Sequence, residues 1–373
     1  MKKTIAVLFG GQSGEHEVSL VSAQAVMAGL DPAKYDVLPV GIAKDGRWVA
    51  GPDALAQLMA AADPAKLPAS ASAIAAHRWP EESLDDGGAE AAGLARHGGD
   101  PAAPTVARLL PAGVDVVFPV LHGPMGEDGT VQGLLELAGV AYVGCGVAAS
   151  AVGMDKALMK AAFVAAGLPV LPWVLVRRAD LEAGVDAVCA AVEARLSYPM
   201  FVKPANMGSS VGVSKARDCD ELRVAFAEAA RYDRRIVVEQ GIAAREIEIS
   251  VLGNERPEAS VPGEVVPSGE WYDYAAKYLD GASQILIPAL IDDELTWQVR
   301  ELAIQAFLAL NCAGLARVDF LLDKESGALW LNEVNTMPGF TPISMYAKMW
   351  AAAGLDYPRL LDRLIELALE RRS

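Results

Sequence analysis

Residues 4–9 make an unbroken apolar run of strand length, and Gly10, Gly11 and Gly14 close it. Val18, Val21, Ala25 and Met27 then give residues 15–30 one apolar side. The pattern predicts a buried strand, a tight turn and a helix, which is an α/β opening. Three further short β-branched runs, at 35–42, 114–120 and 140–143, are each bounded by turn residues. Runs of this kind suit strands buried on both faces of a parallel sheet. Between 51 and 111 the periodicity dissolves into Ala, Pro, Ser and Gly, which reads as a decorated, partly mobile insertion.

A helix is expected over 154–166, ended by Gly167 and Pro169, after which strands and helices alternate to about residue 239 around a strand at 199–203. That stretch has the pattern of a small, separate α+β lobe. Strands resume at 247–252 and 263–266 and lead into an irregular aromatic segment, Trp271 to Tyr278, with the character of a functional loop. An amphipathic helix at 295–310, a strand pair at 315–322 and 328–332, and a helix at 357–372 complete the chain. The expected organisation is an N-terminal α/β unit over 1–148 with the insertion near 51–111, a central lobe over 149–240 and a C-terminal unit over 241–373.

A chain of 373 residues with 53% hydrophobic content can bury two or three cores. Its 48 acidic against 32 basic residues, a net charge of -16, argue against a broad nucleic-acid or anionic-membrane surface. Any phosphate must therefore be met by locally placed cations. The N-terminal apolar run is too short for a signal peptide, and no stretch is long and charge-free enough to span a bilayer, so a cytoplasmic protein is expected. Cys145, Cys189, Cys219 and Cys312 include no CxxC spacing and read as reduced, mostly buried thiols.

The late strand pair concentrates the chemistry. Strand alternation puts Arg317 and Asp319 on one face, and Glu333 and Asn335 on one face. If those faces coincide, Asp319, Glu333 and Asn335 offer hard oxygens to a magnesium-like cation beside a guanidinium. A surface ion pair is the commoner fate of such residues. The turn segment from Asn335 to Thr341, whose backbone donors can meet an anion, favours the metal reading. Lys203 ends a strand ahead of the small-residue loop Asn206-Met207-Gly208-Ser209-Ser210-Val211-Gly212. Such a loop can lie over phosphates, although it lacks P-loop spacing and a plain hairpin competes as its explanation. Lys156, at a helix start, and Lys277, in the aromatic segment, each read alone as surface lysines.

Towards the N-terminus, Gly10 to Ser19 departs from GxGxxG at Gln12, which weakens a nicotinamide reading. Glu15 suits either the positive end of a helix dipole or a substrate ammonium. His122, Glu127 and Asp128 follow the run 116–120, at the carboxyl end of an expected parallel strand, where open α/β sheets bind ligands. Glu127 and Asp128 read equally well as caps of a helix beginning near Thr130.

In order from Gly10 to Met345, these segments resemble the D-alanine:D-alanine ligases of the ATP-grasp superfamily. The likeness is carried by Gly10-Gly11 with Glu15-His16-Glu17-Val18-Ser19, Leu121-His122-Gly123 with Gly126-Glu127-Asp128-Gly129, Met154-Asp155-Lys156, and Lys203-Pro204 with Gly208-Ser209-Ser210-Val211-Gly212. Tyr272-Asp273-Tyr274 with Lys277-Tyr278, Arg317-Val318-Asp319-Phe320, and the run from Asn332 to Gly339 complete it. Ala275 and Ala347 depart from the family pattern, which favours an acid and a proline there, and Gln240-Gly241-Ile242 is less typical of its adenine hinge.

The resemblance implies a Rossmann-like parallel-sheet domain followed by a two-lobed ATP-grasp fold. It implies ATP, two magnesium ions for which manganese can substitute, two molecules of D-alanine and a homodimer, with no nucleic acid or membrane partner. It places Glu15 and His122 at the first amino acid, Lys156, Lys203, Ser209 and Ser210 at the ATP phosphates, and Lys277 at the phosphate in transfer. Glu239 and Ile242 fall at the adenine, Glu246 at the ribose, Trp271 at the bound nucleotide, and Asp319, Glu333 and Asn335 at the metals. Arg317 and the Gly339 amide would stabilise the oxyanion, Ser344 and Met345 would meet the second carboxylate, and Ser209 and Tyr278 would close over Glu15. Rival readings are an NAD-dependent oxidoreductase, a non-enzymatic nucleotide-binding protein, and an ATP-grasp ligase for another acid and amine.

Overall fold

The computed structural model describes residues 1–68, 113–266 and 284–372. Its first sheet is built on β1 (Lys3–Gly10), with β2 (Tyr35–Ile42) and β4 (Val116–Pro119) on either side, both parallel to it. β3 (Trp48–Ala50) adds an antiparallel edge and β5 (Ala141–Tyr142) a parallel one, in the order β3-β2-β1-β4-β5. The apolar run of β1 is buried from Ile5 to Gly10, as strands covered on both faces require. Because Leu8 pairs with Pro119, the loops after β1 and β4 leave the sheet side by side at its carboxyl edge.

Helix α1 (His16–Gly29) covers this sheet. Helix α2 (Ala54–Ala60) lies inside the stretch whose sequence reads as an insertion, and its Ala54 and Leu58, one helical turn apart, are buried in the core of the first sheet. The rest of that stretch, from 69, lies outside the described residues up to 112.

After α3 (Thr130–Ala138) and α4 (Val147–Met154), the helix expected over 154–166 is present as α5 (Lys156–Ala165). Asp155 parts α4 from α5: its backbone is extended, and its carboxylate accepts the amides of Ala157 and Leu158, starting α5 as a cap. An antiparallel four-stranded sheet follows, in the order β6-β9-β7-β8, from β6 (Trp173–Arg177), β7 (Met200–Pro204), β8 (Ser214–Ala216) and β9 (Arg235–Gln240). Helices α6 (Arg178–Glu193) and α7 (Cys219–Tyr232) pack on it.

The third sheet runs β13-β12-β10-β14-β15, from β10 (Ala244–Gly253), β12 (Gly263–Val266), β13 (Gln284–Leu286), β14 (Gly314–Asp323) and β15 (Leu329–Asn335), with β11 (Glu258–Ala259) on β10. Helix α8 (Asp293–Ala309) backs it.

The last two helices, α9 (Met345–Ala352) and α10 (Tyr357–Arg372), return to the first sheet. Leu360, Leu361, Leu364 and Ile365 share one core with Ile5, Val7, Phe9, Val116 and Phe118. Phe340 lies within 5.6–5.7 Å, ring to ring, of Phe118, Tyr346 and Tyr357. Each such buried side chain contributes about 1.5–3 kcal/mol. The two ends of the chain are therefore fastened together, and the loop after β15 is held against the loops of the first sheet. Among the described residues no helix is long and apolar enough to cross a membrane. The four cysteines are free thiols, three of them buried.

Candidate active site

On β14 and β15 the two chemical faces coincide. Asp319 pairs with Glu333 and Arg317 with Asn335, and the register then shifts so that Phe320 meets Leu331. Arg317 holds Asp319 with both arms, Nε to Oδ1 at 2.7 Å and Nη2 to Oδ2 at 2.6 Å. Its Nε also lies 3.1 Å from Glu248 on β10, which pairs with Asp319 across the strands. Burial works against the guanidinium charge, but Asp319 and Glu248 outweigh it and hold Arg317 well above the ordinary arginine range. Asn335 donates Nδ2 to Asp319 Oδ2 at 2.9 Å, which leaves its carbonyl oxygen as a neutral acceptor.

On the four-stranded sheet, Lys203 of β7 and Glu239 of β9 meet at 3.0 Å. The other oxygen of Glu239 lies 3.3 Å from Lys160 of α5. Burial works against the charge of both lysines. For Lys203 the fields of Glu239 and Glu333 outweigh it and raise the pKa, whereas for Lys160 burial prevails and lowers it. The same two cations hold Glu239 below the ordinary carboxylate range against its burial.

The loop after β7 crosses to the first sheet. Lys156 donates to the Met207 carbonyl at 2.7 Å, and Ser209 and Ser210 both take left-handed backbone, with φ of 50° and 58°. That conformation delivers the Ser209 hydroxyl to Glu15, a contact between residues 194 positions apart. Glu15 occupies the N-cap position of α1 yet makes no side-chain capping bond. Its carboxylate thus stands at the positive end of the α1 dipole and also lines the cleft. The residues that follow brace this turn: His16 contacts the Gly11 carbonyl, Glu17 pairs with Lys44, and Ser19 accepts the Gly10 amide.

His122 is 4% exposed and spans the two ends of the chain, with Nδ1 3.1 Å from the Met337 carbonyl and Nε2 3.2 Å from the Ser22 hydroxyl. Burial disfavours its charge, but Glu127, 3.8 Å away, and Glu15 prevail and raise its pKa. Glu127 is itself pushed up by burial. Glu127 accepts the Gly123 amide and shapes the loop, while Asp128 accepts those of Met125 and of Thr130, the first residue of α3.

Glu15, His122, Lys156, Lys203, Ser209, Ser210, Glu239, Ile242, Glu246, Arg317, Asp319, Glu333, Asn335, Gly339, Ser344 and Met345 all line one cleft of about 940 Å³. Trp271, Lys277 and Tyr278 lie outside the described residues. Sequence reasoning missed Lys160, Glu248 and Ser22. Alternation with Glu246 could have found Glu248, since residues two apart on a strand share a face. For Lys160 the only hint was its place one helical turn beyond Lys156.

A parallel-sheet domain joined to two antiparallel lobes that close lysines, acids and an arginine around one cleft defines an ATP-grasp enzyme. Family descriptions reading D-ala D-ala ligase N-terminus and C-terminus match residues 4–145 and 162–366, and the chain belongs to that family. It is 51% identical to the D-alanine--D-alanine ligase of Heliobacterium modesticaldum, over all of this chain and 96% of the relative. Identity to that of Ruminiclostridium cellulolyticum is 49%, over 99% of this chain and 96% of the relative. Among solved structures, the D-alanine-D-alanine ligase from Coxiella burnetii is similar at TM-score 0.77 and 37% identity, covering 100% of this chain and 95% of that one. The VanG D-Ala:D-Ser ligase from Enterococcus faecalis is similar at 0.79 and 35%, covering 99% and 100%.

Proposed function

We propose that the protein joins two molecules of D-alanine at the expense of ATP, giving D-alanyl-D-alanine, ADP and phosphate for peptidoglycan precursors. The observation that carries this reading is the convergence in one cleft of the Arg317, Asp319 and Glu333 strand pair, the Lys156 and Lys203 phosphate-type cations, and Glu15. A carboxylate resists amine attack until one oxygen becomes a leaving group. Transfer of the γ-phosphoryl of ATP onto it breaks the bond to ADP and makes an acyl phosphate. The second amine then forms the peptide bond, and phosphate departs carrying one former carboxylate oxygen.

The residues divide this work. Glu15 and His122 hold the first D-alanine, while Lys156, Lys203, Ser209 and Ser210 hold the phosphates. Glu239 and Ile242 take the adenine, Glu246 takes the ribose, and Trp271 meets the bound nucleotide. Lys277 meets the phosphoryl group in transfer, and Tyr278 completes the closure over Glu15 and Ser209, keeping water from the intermediate.

The Gly339 amide and Arg317 face the developing oxyanion. Ser344 precedes α9 but turns its hydroxyl to Thr341 rather than capping the helix. The first amides of that helix, at Met345, are thereby left to receive the second carboxylate.

Asp319, Glu333 and Asn335 fit two magnesium ions, since Asp319 Oδ1 keeps acceptor capacity beside its Arg317 bond and Asn335 keeps its carbonyl oxygen. When bound, these ions, or manganese, neutralise phosphate charge. We assign the enzyme to the cytoplasm, where ATP is available, and to a homodimer.

The test is to incubate the protein with ATP, magnesium and either alanine enantiomer, with D-serine as a competing amine. D-Alanyl-D-alanine and ADP in equal amounts, from the D enantiomer alone, are expected. No dipeptide from D-alanine overturns the assignment, and preferential D-alanyl-D-serine would move it to the D-Ala:D-Ser class.

A further inference from the structure

Lys160 has no role in the reading above and does not line the cleft, yet it is a charged side chain only 1% exposed. An ammonium taken out of water persists only when paired. Its partner is Glu239, with Nζ 3.3 Å from Oε1, and the second oxygen, Oε2, receives Lys203 Nζ at 3.0 Å. One carboxylate therefore holds two cations, one beneath the cleft and one facing into it.

The pair also joins two sheets. Lys160 belongs to α5, which packs on β15, where the Val334 amide meets Met159 sulfur at 3.3 Å. Glu239 belongs to β9 of the four-stranded sheet, opposite Phe201 and beside Lys203. The Lys160 contact thus ties the sheet that carries the phosphate-type lysine to the strand that carries Glu333 and Asn335.

The charge balance gives this contact its consequence. With Lys160 beside Oε1, Glu239 is divided between two cations and Lys203 meets only Oε2, while the fields of Glu333 and Glu246 act on Lys203 in either case. Without Lys160, the buried Oε1 would face no cation, and the carboxylate would be free to turn both oxygens onto Lys203. Lys160 is too deeply buried to touch a ligand, so its effect passes through Glu239.

We infer that Lys160 is a positioning residue for ATP: by occupying Oε1 of Glu239 it fixes that carboxylate and frees Lys203 to meet the phosphates. This rests on the ATP-dependent ligase reading given above.

The test measures dipeptide synthesis by wild type, Lys160→Met and Lys160→Gln, varying ATP and D-alanine separately and monitoring thermal unfolding. Methionine matches the length of the lysine stem without its charge. Glutamine keeps a polar group facing Glu239 without the charge. In both variants the KM for ATP should rise about tenfold, with kcat and the KM for D-alanine changing less than about threefold.

An unchanged KM for ATP in folded Lys160→Met overturns the inference. Should that variant not fold, Lys160→Gln decides: a raised KM for ATP supports the charge argument, and a wild-type KM refutes it. Wild type in the same assay separates the two readings. Failure of wild type to form dipeptide ends the ligase assignment, whereas active wild type with unaltered variants ends only the role of Lys160.

Discussion

Arg317 lies between two carboxylates, with both arms on Asp319 and its Nε close to Glu248. Those contacts fix the plane of the guanidinium before any substrate arrives, and preorganisation of this kind is what makes an oxyanion donor effective. Arg317→Ala should lower dipeptide synthesis about 10²–10³-fold while nucleotide binding survives. Turnover assays beside equilibrium binding of an ATP analogue check this, and full turnover would refute the oxyanion role. Arg317, Asp319, Glu333 and Asn335 were legible in the sequence because strand alternation fixes which side chains share a face. Lys160 was not, since a buried lysine reads like a surface one until its carboxylate partner, on a distant strand, is located.

At the scale of elements, the site depends on loops in backbone states that sequence patterns signal weakly. Glu15 is enclosed by the Ser209 loop on one side and by Gly123 on the other. Gly123 has φ of 75°, and a Cβ there would come within 2.6 Å of Glu15 Oε2. Gly123→Ala therefore combines left-handed strain, about 1–2 kcal/mol, with displacement of the Glu15 carboxylate, which we propose holds the first ammonium. The KM for the first D-alanine should rise about tenfold or more, with the KM for ATP nearly unchanged. Steady-state kinetics resolve the two, and equal effects on both would count against the placement of Glu15. The opening strand, turn and helix were plain from periodicity. The helix over 154–166 was plain as well, whereas α4 ahead of it was not, since only the Asp155 side chain, which caps α5, parts the two.

Across the whole molecule, the chain closes on itself. Helix α10 shares the core of the first sheet, and His122 links α1, through Ser22, to the Met337 carbonyl beyond β15. No local pattern carries such a pairing, because it joins residues 215 positions apart. His122 binds its proton more tightly in the folded protein than the ordinary value of 6.5. Its stabilising contribution is therefore fully present below that value and is lost as pH rises through the folded pKa. Stability should decline with rising pH above about 6.5, and His122→Gln should remove that part of the decline. Denaturation midpoints across this range test it, and an unchanged slope in the variant would exclude His122 as the source.

In the proposed reaction an acyl phosphate forms where Lys203 of the four-stranded sheet and Lys156 of α5 meet the acids and arginine of β14 and β15. D-Alanine labelled with oxygen-18 in both carboxylate oxygens tests this directly: one labelled oxygen should appear in the phosphate released for each dipeptide made. Unlabelled phosphate, or AMP in place of ADP, would contradict it.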